Sequence, residues 1–132
     1  MSELKQGVAF NLPTPPNGEH YFFVVLGPSA SGDLIIVNID TIKDRVPFDS
    51  TTVLRPGRGM PRFIKKRTYV NYRRAKLVAV SELKKQIDAA PYTTYSDIDA
   101  ALLSQLQQGL VSSGQTPRGI KKAAQTLLDP GG

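Results

Sequence analysis

Two apolar stretches near the start of the chain have the composition of neighbouring strands. Residues 21–26 (YFFVVL) and 33–39 (DLIIVNI) are rich in the aromatic and β-branched side chains that favour buried strands. Residues 27–32 (GPSASG) are turn formers. Because so short a loop joins antiparallel neighbours, the pattern predicts a β-hairpin.

Shorter strand patterns follow the predicted hairpin, and a proline-rich segment precedes it. Residues 52–54 (TVL), 68–71 (TYVN) and 74–80 (RAKLVAV) have the apolar or alternating pattern of strands. Residues 1–19 include three prolines and an Asn-Gly pair, which predict an irregular lead-in.

Helical patterns dominate the last third of the chain. Ser81 is the predicted cap of a helix over residues 81–87. Apolar residues at helical spacing predict a second helix over 97–111, and Pro117 opens a third that runs to about residue 128. Strands first and helices last predict a mainly β (α+β) fold. We expect a small barrel of five or six strands over residues 1–90 and a helical extension over 91–132 packed on it.

Composition excludes several classes of site. The chain has 132 residues, enough for one domain, no cysteine and one histidine, His20. Disulfides, thiol nucleophiles, zinc–thiolate sites and two-histidine centres are therefore excluded. No apolar run approaches the roughly 18 residues of a membrane span, and the N-terminus lacks the apolar core of a secretory signal. These features predict a cytoplasmic protein without membrane contact, metal or cofactor.

Positive charge is concentrated in one segment. Residues 55–76, called the basic segment, hold nine Lys and Arg and no Asp or Glu, whereas the other residues carry eight basic and eleven acidic side chains. Basic groups bind phosphates and aromatic rings stack on unpaired bases, so the segment predicts nucleic-acid binding; the alternative is a merely solvated face. The side chains predicted to bind nucleic acid are Arg55, Arg58, Arg62, Lys65, Lys66, Arg67, Tyr69, Tyr72, Arg73 and Arg74.

Four stretches, in their order and spacing, resemble one known family. They read HYFFVVLGP, DLIIVNIDT, DSTTVLRPG and RFIKKRTYVNYRRAKLVAVSEL. Together they resemble the PemK/MazF family, toxins of bacterial toxin–antitoxin modules that share a small SH3-like barrel. The resemblance covers about residues 17–88. It implies a bacterial or phage protein that cleaves single-stranded RNA without a metal ion, forms a homodimer and has an antitoxin or another acidic protein as partner.

The resemblance also indicates where the chemistry is expected. In family members the catalytic residues are usually an arginine on the first of these strands and a Thr or Ser near the end of the following strand. The arginine is absent here, because the matching Arg-Pro positions are Tyr21 and Phe22, and the Thr position falls at Asp40 or Thr41. His20 is the nearby ionisable group that could replace the arginine, since imidazole exchanges protons near neutral pH.

The predicted hairpin makes a site at these residues geometrically reasonable. In an antiparallel pair the start of one strand faces the end of the other. His20 starts the first strand, and Asp40 and Thr41 end the second. We therefore expect His20 to lie near Asp40 or Thr41 and name these three as candidate catalytic residues.

Three functions remain open at this level. The chain could be an endoribonuclease with the chemistry at His20. It could be a catalytically inactive barrel that binds nucleic acid or an acidic protein, which the missing arginine favours. It could also be an assembly protein whose C-terminal helices dock a partner.

Overall fold

Six antiparallel strands form one curled sheet within residues 4–13, 19–90 and 95–128, the part of the chain described by the computed structural model. In chain order the elements are β1 (Val8–Pro13), β2 (Glu19–Leu26), β3 (Asp33–Thr41), β4 (Val53–Leu54), β5 (Thr68–Ala79), α1 (Val80–Asp88), β6 (Tyr95–Asp97), α2 (Ala100–Ser112) and α3 (Arg118–Leu128). Across the sheet the strand order is β4-β5-β3-β2-β1-β6. The prediction of a mainly β fold with helices towards the C-terminus is confirmed.

The predicted hairpin of β2 and β3 is present and lies at the centre of the sheet. Phe22 pairs with Asn38, and Phe23 with Val37. Gly27 follows β2 with a φ of 109°, and a Cβ there would lie 2.6 Å from the backbone oxygen of Asp33. The turn therefore requires glycine at this position.

One long strand replaces the two short strands predicted over 68–71 and 74–80. β5 pairs with β3 along most of its length, but its register shifts between two points: Asn38 is opposite Asn71, whereas Ile36 is opposite Lys76. Two steps along β3 thus correspond to five along β5. Such a bulge bends a strand and keeps it in the sheet. Residues 72 and 73, between the two predicted strands, therefore belong to the irregular part of one continuous strand.

Apolar side chains cover both faces of the sheet. The face called the α2/α3 face carries Phe23, Val37 and Tyr72, which share one buried cluster with Leu106 and Leu110 of α2. The opposite face, the α1 face, carries a second cluster. Its buried members are Leu4, Val8, Phe10, Leu12, Val24, Leu34, Ile36, Leu83 and Ile87. The C-terminal helices therefore complete the core of the sheet.

Strand pairing at the sheet edge corrects two of the predictions. Val8–Pro13, expected to be irregular, is β1, because its backbone pairs with β2 and the side chains of residues 8–12 are buried on both faces of the sheet. Asp97, predicted to be the first residue of a helix, is the last residue of β6 (Tyr95–Asp97), which pairs with β1. Residues 1–3 and 14–18 of the predicted lead-in lie outside the described residues.

Helix boundaries also differ from those predicted. α1 begins at Val80 with Ala79 as its N-cap and no side-chain cap, so Ser81 does not cap it. α2 begins three residues later than predicted, at Ala100, because the Asp99 carboxylate accepts a hydrogen bond from the backbone N–H of Leu102 and caps the helix there.

A buried hydroxyl network joins α2 to the sheet. Tyr72 is fully buried, and its hydroxyl donates to the Leu106 carbonyl at 3.1 Å. Because that hydroxyl has one proton, the Thr52 hydroxyl, 2.7 Å away, donates to the phenol oxygen. Burial raises the pKa of Tyr72 to about 12, so the phenol keeps its proton. Gly109 leaves the necessary room, since a Cβ there would overlap Tyr72 and Thr52.

Replacing Tyr72 by Phe should destabilise the protein by about 1–3 kcal/mol, because Thr52 and Leu106 then lose a buried hydrogen-bond partner. Urea unfolding measures the difference. Tyr21→Phe is the matched control and should change the free energy of unfolding by less than about 0.5 kcal/mol, because the Tyr21 hydroxyl makes no hydrogen bond among the described residues. Equal effects of the two changes would show that the network contributes nothing.

Candidate active site

The α1 face of the sheet changes from apolar to polar along its strands. On β3, the buried residues Leu34 and Ile36 are followed on the same face by Asn38 and Asp40. On β2, alternation places His20 on this face as well. α1 covers only the apolar end through its buried side chains. The polar end is left accessible, and it lies where β2 and β5 begin and β3 ends.

His20 and Asp40 are in contact at this polar end. The His20 Nε2 atom lies 3.4 Å from Oδ1 of Asp40, and the two side chains are 34% and 29% exposed. The antiparallel pairing of β2 with β3 produces this contact, as the hairpin prediction anticipated. The pair can therefore be reached from solvent, and the carboxylate orients one ring nitrogen of the imidazole.

Two asparagines hold the Asp40 carboxylate. Its Oδ2 atom accepts a hydrogen bond from Nδ2 of Asn71 at 3.0 Å and a longer one from Nδ2 of Asn38 at 3.4 Å. Asn38 is buried and Asn71 half-buried. Because both amides bind Oδ2, Oδ1 remains directed towards His20.

A cavity of about 760 Å³ opens beside the pair. Its lining includes His20, Asp40, Asn71, Tyr69 and the exposed side chain of Arg74. The cavity also reaches around the end of the sheet to Tyr21 and Phe63, whose rings stack with centroids 4.1 Å apart. A proton-transfer pair, a cation and aromatic surface thus share one open cavity.

Tyr69 supplies a hydrogen-bond donor to this cavity. Partial burial raises the pKa of its phenol, and the nearby charge of Asp40 adds to the rise while that of Arg74 opposes it. The phenol therefore keeps its proton at neutral pH. The Phe48 ring packs against it with centroids 5.5 Å apart.

The loop between β3 and β4, which carries Phe48, is fixed to the C-terminal helices through Asp49. Its Oδ2 accepts a hydrogen bond from the buried Ser113 hydroxyl at 2.5 Å, and its Oδ1 accepts bonds from the N–H and hydroxyl of Thr51. Burial alone would raise the pKa of Asp49, but the bonds from Ser113 and Thr51 outweigh it and lower the pKa. The loop is therefore anchored when Asp49 is ionised.

Only part of the basic segment lies at the site. All nine of its Lys and Arg side chains are exposed, and within the described residues none forms an ion pair with a carboxylate. Arg74 lines the cavity of the pair, and Arg73 lines a smaller neighbouring cavity. The other basic residues predicted to bind nucleic acid lie in or next to the loop between β4 and β5: Arg55, Arg58, Arg62, Lys65, Lys66 and Arg67.

Two of the predicted site residues take other roles. Tyr72, predicted to bind nucleic acid, is fully buried against α2, so its ring cannot stack on a base. Thr41 is exposed and lines the cavity at the end of β3, but no hydrogen bond among the described residues joins it to His20. Of the two alternatives on β3, it is Asp40 that contacts the imidazole.

Sequence reasoning missed Asn38, Asn71 and Phe48. The two asparagines carried a usable signal, because Asn38 lies between Val37 and Ile39 and Asn71 between Val70 and Tyr72, and a polar side chain within an apolar stretch of a strand is informative. Phe48 carried none, since it lies in a polar loop next to Pro47 and reaches Tyr69 only through the tertiary fold.

Comparisons with protein families, with curated proteins and with solved structures found no match for the chain. In the part of the chain that the structure describes, no helix is both long and apolar enough to cross a bilayer. The same residues contain no group of three or more His, Asp or Glu side chains arranged to hold a metal ion. Function is therefore inferred from the side chains of the site.

Asp49→Asn should lower the free energy of unfolding at about pH 7, because it removes the charged acceptor of Ser113 and Thr51. Since the folded-state pKa is lowered, this contribution is present above the unfolded-state pKa and is lost as pH falls through the folded-state value. Urea unfolding at decreasing pH should therefore show the two proteins converging.

The exposed Asp44 on the same loop gives the matched control for this experiment. Asp44→Asn should change the free energy of unfolding at about pH 7 by less than about 0.5 kcal/mol. A difference between wild type and Asp49→Asn that stayed constant down to about pH 2 would contradict anchoring by the ionised carboxylate.

Proposed function

We propose that the protein is a PemK/MazF-like, toxin-type endoribonuclease that cleaves single-stranded RNA without a metal ion. The observation that carries the proposal is the contact between His20 and Asp40 inside an open cavity that also contains Arg74. Proton transfer by a positioned imidazole and stabilisation of charge by a cation are what cleavage of a phosphodiester requires.

The cleavage step uses the ribose 2′-hydroxyl as the nucleophile. His20 accepts the hydroxyl proton while the 2′ oxygen forms a bond to the adjacent phosphorus. The bond between phosphorus and the 5′ oxygen breaks, and that oxygen leaves with a proton from solvent. The products are a 2′,3′-cyclic phosphate and a 5′-hydroxyl. Asp40 orients the imidazole and stabilises its protonated form.

Arg74 takes the place of the absent family arginine in this scheme. The aromatic ring of Tyr21 occupies the matching position on β2 and stacks on Phe63. Arg74 instead brings its guanidinium to the cavity from β5. It binds the phosphate oxygens and stabilises the negative charge that builds on them.

The order of the antiparallel strands and the basic segment support the remainder of the proposal. An SH3-like barrel is consistent with the curled sheet of β1 to β5. The exposed basic residues bind the RNA backbone, and an acidic antitoxin would bind the same positive surface. By the family resemblance we propose a cytoplasmic homodimer of a bacterial or phage toxin–antitoxin module.

His20→Ala should reduce the cleavage rate by about 10²–10⁴-fold, the usual contribution of a general acid or base. The test incubates purified protein with a long single-stranded RNA in the presence of a chelator and maps the cut ends. Replacing the nucleotide at a cut site by its 2′-deoxy form should abolish that cut, because the nucleophile is removed.

Two further variants test the assignment on β3. Asp40→Asn should lower the cleavage rate because the imidazole loses its carboxylate partner. Thr41→Ala should cleave RNA at the wild-type rate. Intact RNA with the wild-type protein, or cuts that persist in His20→Ala, would contradict the proposed ribonuclease.

The second candidate function is a catalytically inactive barrel that binds nucleic acid or an acidic protein. The aromatic residue at the family's arginine position favours it. This function predicts that RNA shifts on a gel at low salt, remains intact, and binds equally well to His20→Ala. The cleavage assay thus separates the two functions directly.

Binding through β5 should depend on salt and on Arg73 and Arg74. Replacing both by Ala should reduce the slope of log affinity against log salt concentration by about 1.4, because each lost contact to single-stranded phosphate contributes about 0.7. Lys84→Ala/Lys85→Ala removes the same charge from the exposed surface of α1 and is the matched control. Equal slopes for the two double variants would rule out phosphate binding at β5.

A further inference from the structure

A second cavity, of about 490 Å³, adjoins the cavity of the His20–Asp40 pair. The two cavities share Pro47, Phe48, Tyr69 and Asn71. They therefore form one groove that passes Phe48 and ends at the turn between α2 and α3, where Gly114 and Gln115 form the far wall. This wall comes from the part of the chain that the family resemblance does not cover.

The second cavity has the side chains that one nucleotide requires. Phe48 is half-buried and packs against Tyr69, which leaves part of its ring exposed to the cavity. Arg73 places a charged, exposed guanidinium in the lining. Asp49 and Gln115 add polar groups at the edge. An aromatic surface beside a cation matches the base and phosphate of an unpaired nucleotide.

Hydrogen bonds hold the walls of this cavity together. The Ser113 hydroxyl donates to Asp49 on the opposite wall and accepts from the backbone N–H of Gln115 at 3.0 Å. Ser113 is 1% exposed and Asp49 is half-buried, so the Ser113 end of this link is shielded from water. The position of Phe48 is thus fixed relative to the α2–α3 turn before any ligand binds, which lowers the entropic cost of binding.

We propose that this second cavity binds the nucleotide next to the cleaved phosphodiester, with its base against Phe48 and its phosphate at Arg73. The inference rests on the proposed cleavage of single-stranded RNA at His20. The α2–α3 turn then contacts the substrate directly. The C-terminal helices thus complete the RNA-binding groove as well as the apolar core of the sheet.

The test uses short RNA whose 2′-hydroxyls are methylated, so that it binds without being cut. An abasic nucleotide is moved along a labelled hexamer, and binding is measured by fluorescence anisotropy. At the position that occupies the second cavity, loss of the base should weaken wild-type binding by about tenfold, the usual effect of losing one base–aromatic stack.

Phe48 variants then show which side chain that base contacts. Phe48→Leu should weaken binding of the intact hexamer by a similar factor, and the abasic change should then have no further effect, because the same contact is already lost. Phe48→Tyr should restore the wild-type pattern. Arg73→Ala, at an exposed position, should weaken both hexamers equally, and the thermal midpoint of each variant checks folding.

The outcomes separate this inference from the proposed function. If the wild-type protein cuts unmodified RNA but the effects of Phe48→Leu and the abasic change multiply, the second cavity is not the base site and the inference is overturned. If RNA is bound but not cut and the two effects are coupled, the second cavity is still a nucleotide site at Phe48, but the ribonuclease is overturned, and with it the place of that nucleotide next to a cleaved phosphodiester. If no hexamer binds, the inference is overturned, and the ribonuclease is overturned as well only if unmodified RNA also stays intact.

Discussion

The register of β3 between β2 and β5 is the constraint on which the molecule depends. β3 pairs with both neighbours at the centre of the sheet, so its alternation assigns side chains to both cores. A slip of one residue against either neighbour would exchange the side chains that face the two cores. The same register places Asp40 opposite the start of β2, where His20 lies, and opposite Tyr69 of β5. Core and candidate site therefore come from one pairing pattern.

The site exists because the α1 face is only partly covered. α1 buries the end that carries Leu34 and Ile36, and the strands continue beyond it with polar residues. Asn38 and Asn71 fix Asp40 through hydrogen bonds, which compensates for the partial burial of a charged group. The imidazole next to it stays accessible, so the pair combines a defined geometry with exposure to a ligand.

The C-terminal helices are linked to the site through polar contacts as well as apolar packing. Tyr72 ties α2 to the sheet from one side, and Asp49 ties the loop of Phe48 to Ser113 from the other. Both contacts join residues far apart in the chain, so they form only when the helices are docked. The groove beside His20 consequently depends on the C-terminal helices, a segment in which the sequence indicated no candidate site residue.

The sequence alone determined the strand-then-helix order, the hairpin, the basic segment and the neighbourhood of His20 and Asp40, because each follows from local composition or from the geometry of one short loop. It did not determine β1 and β6, because β1 is a strand through its pairing with β2, and β6 through its pairing with β1 at the edge of the sheet. It also left open the choice between Asp40 and Thr41 and the burial of Tyr72. Those were decided by tertiary structure, since strand register selects the side chain that meets His20, and docking of α2 removes the Tyr72 ring from solvent.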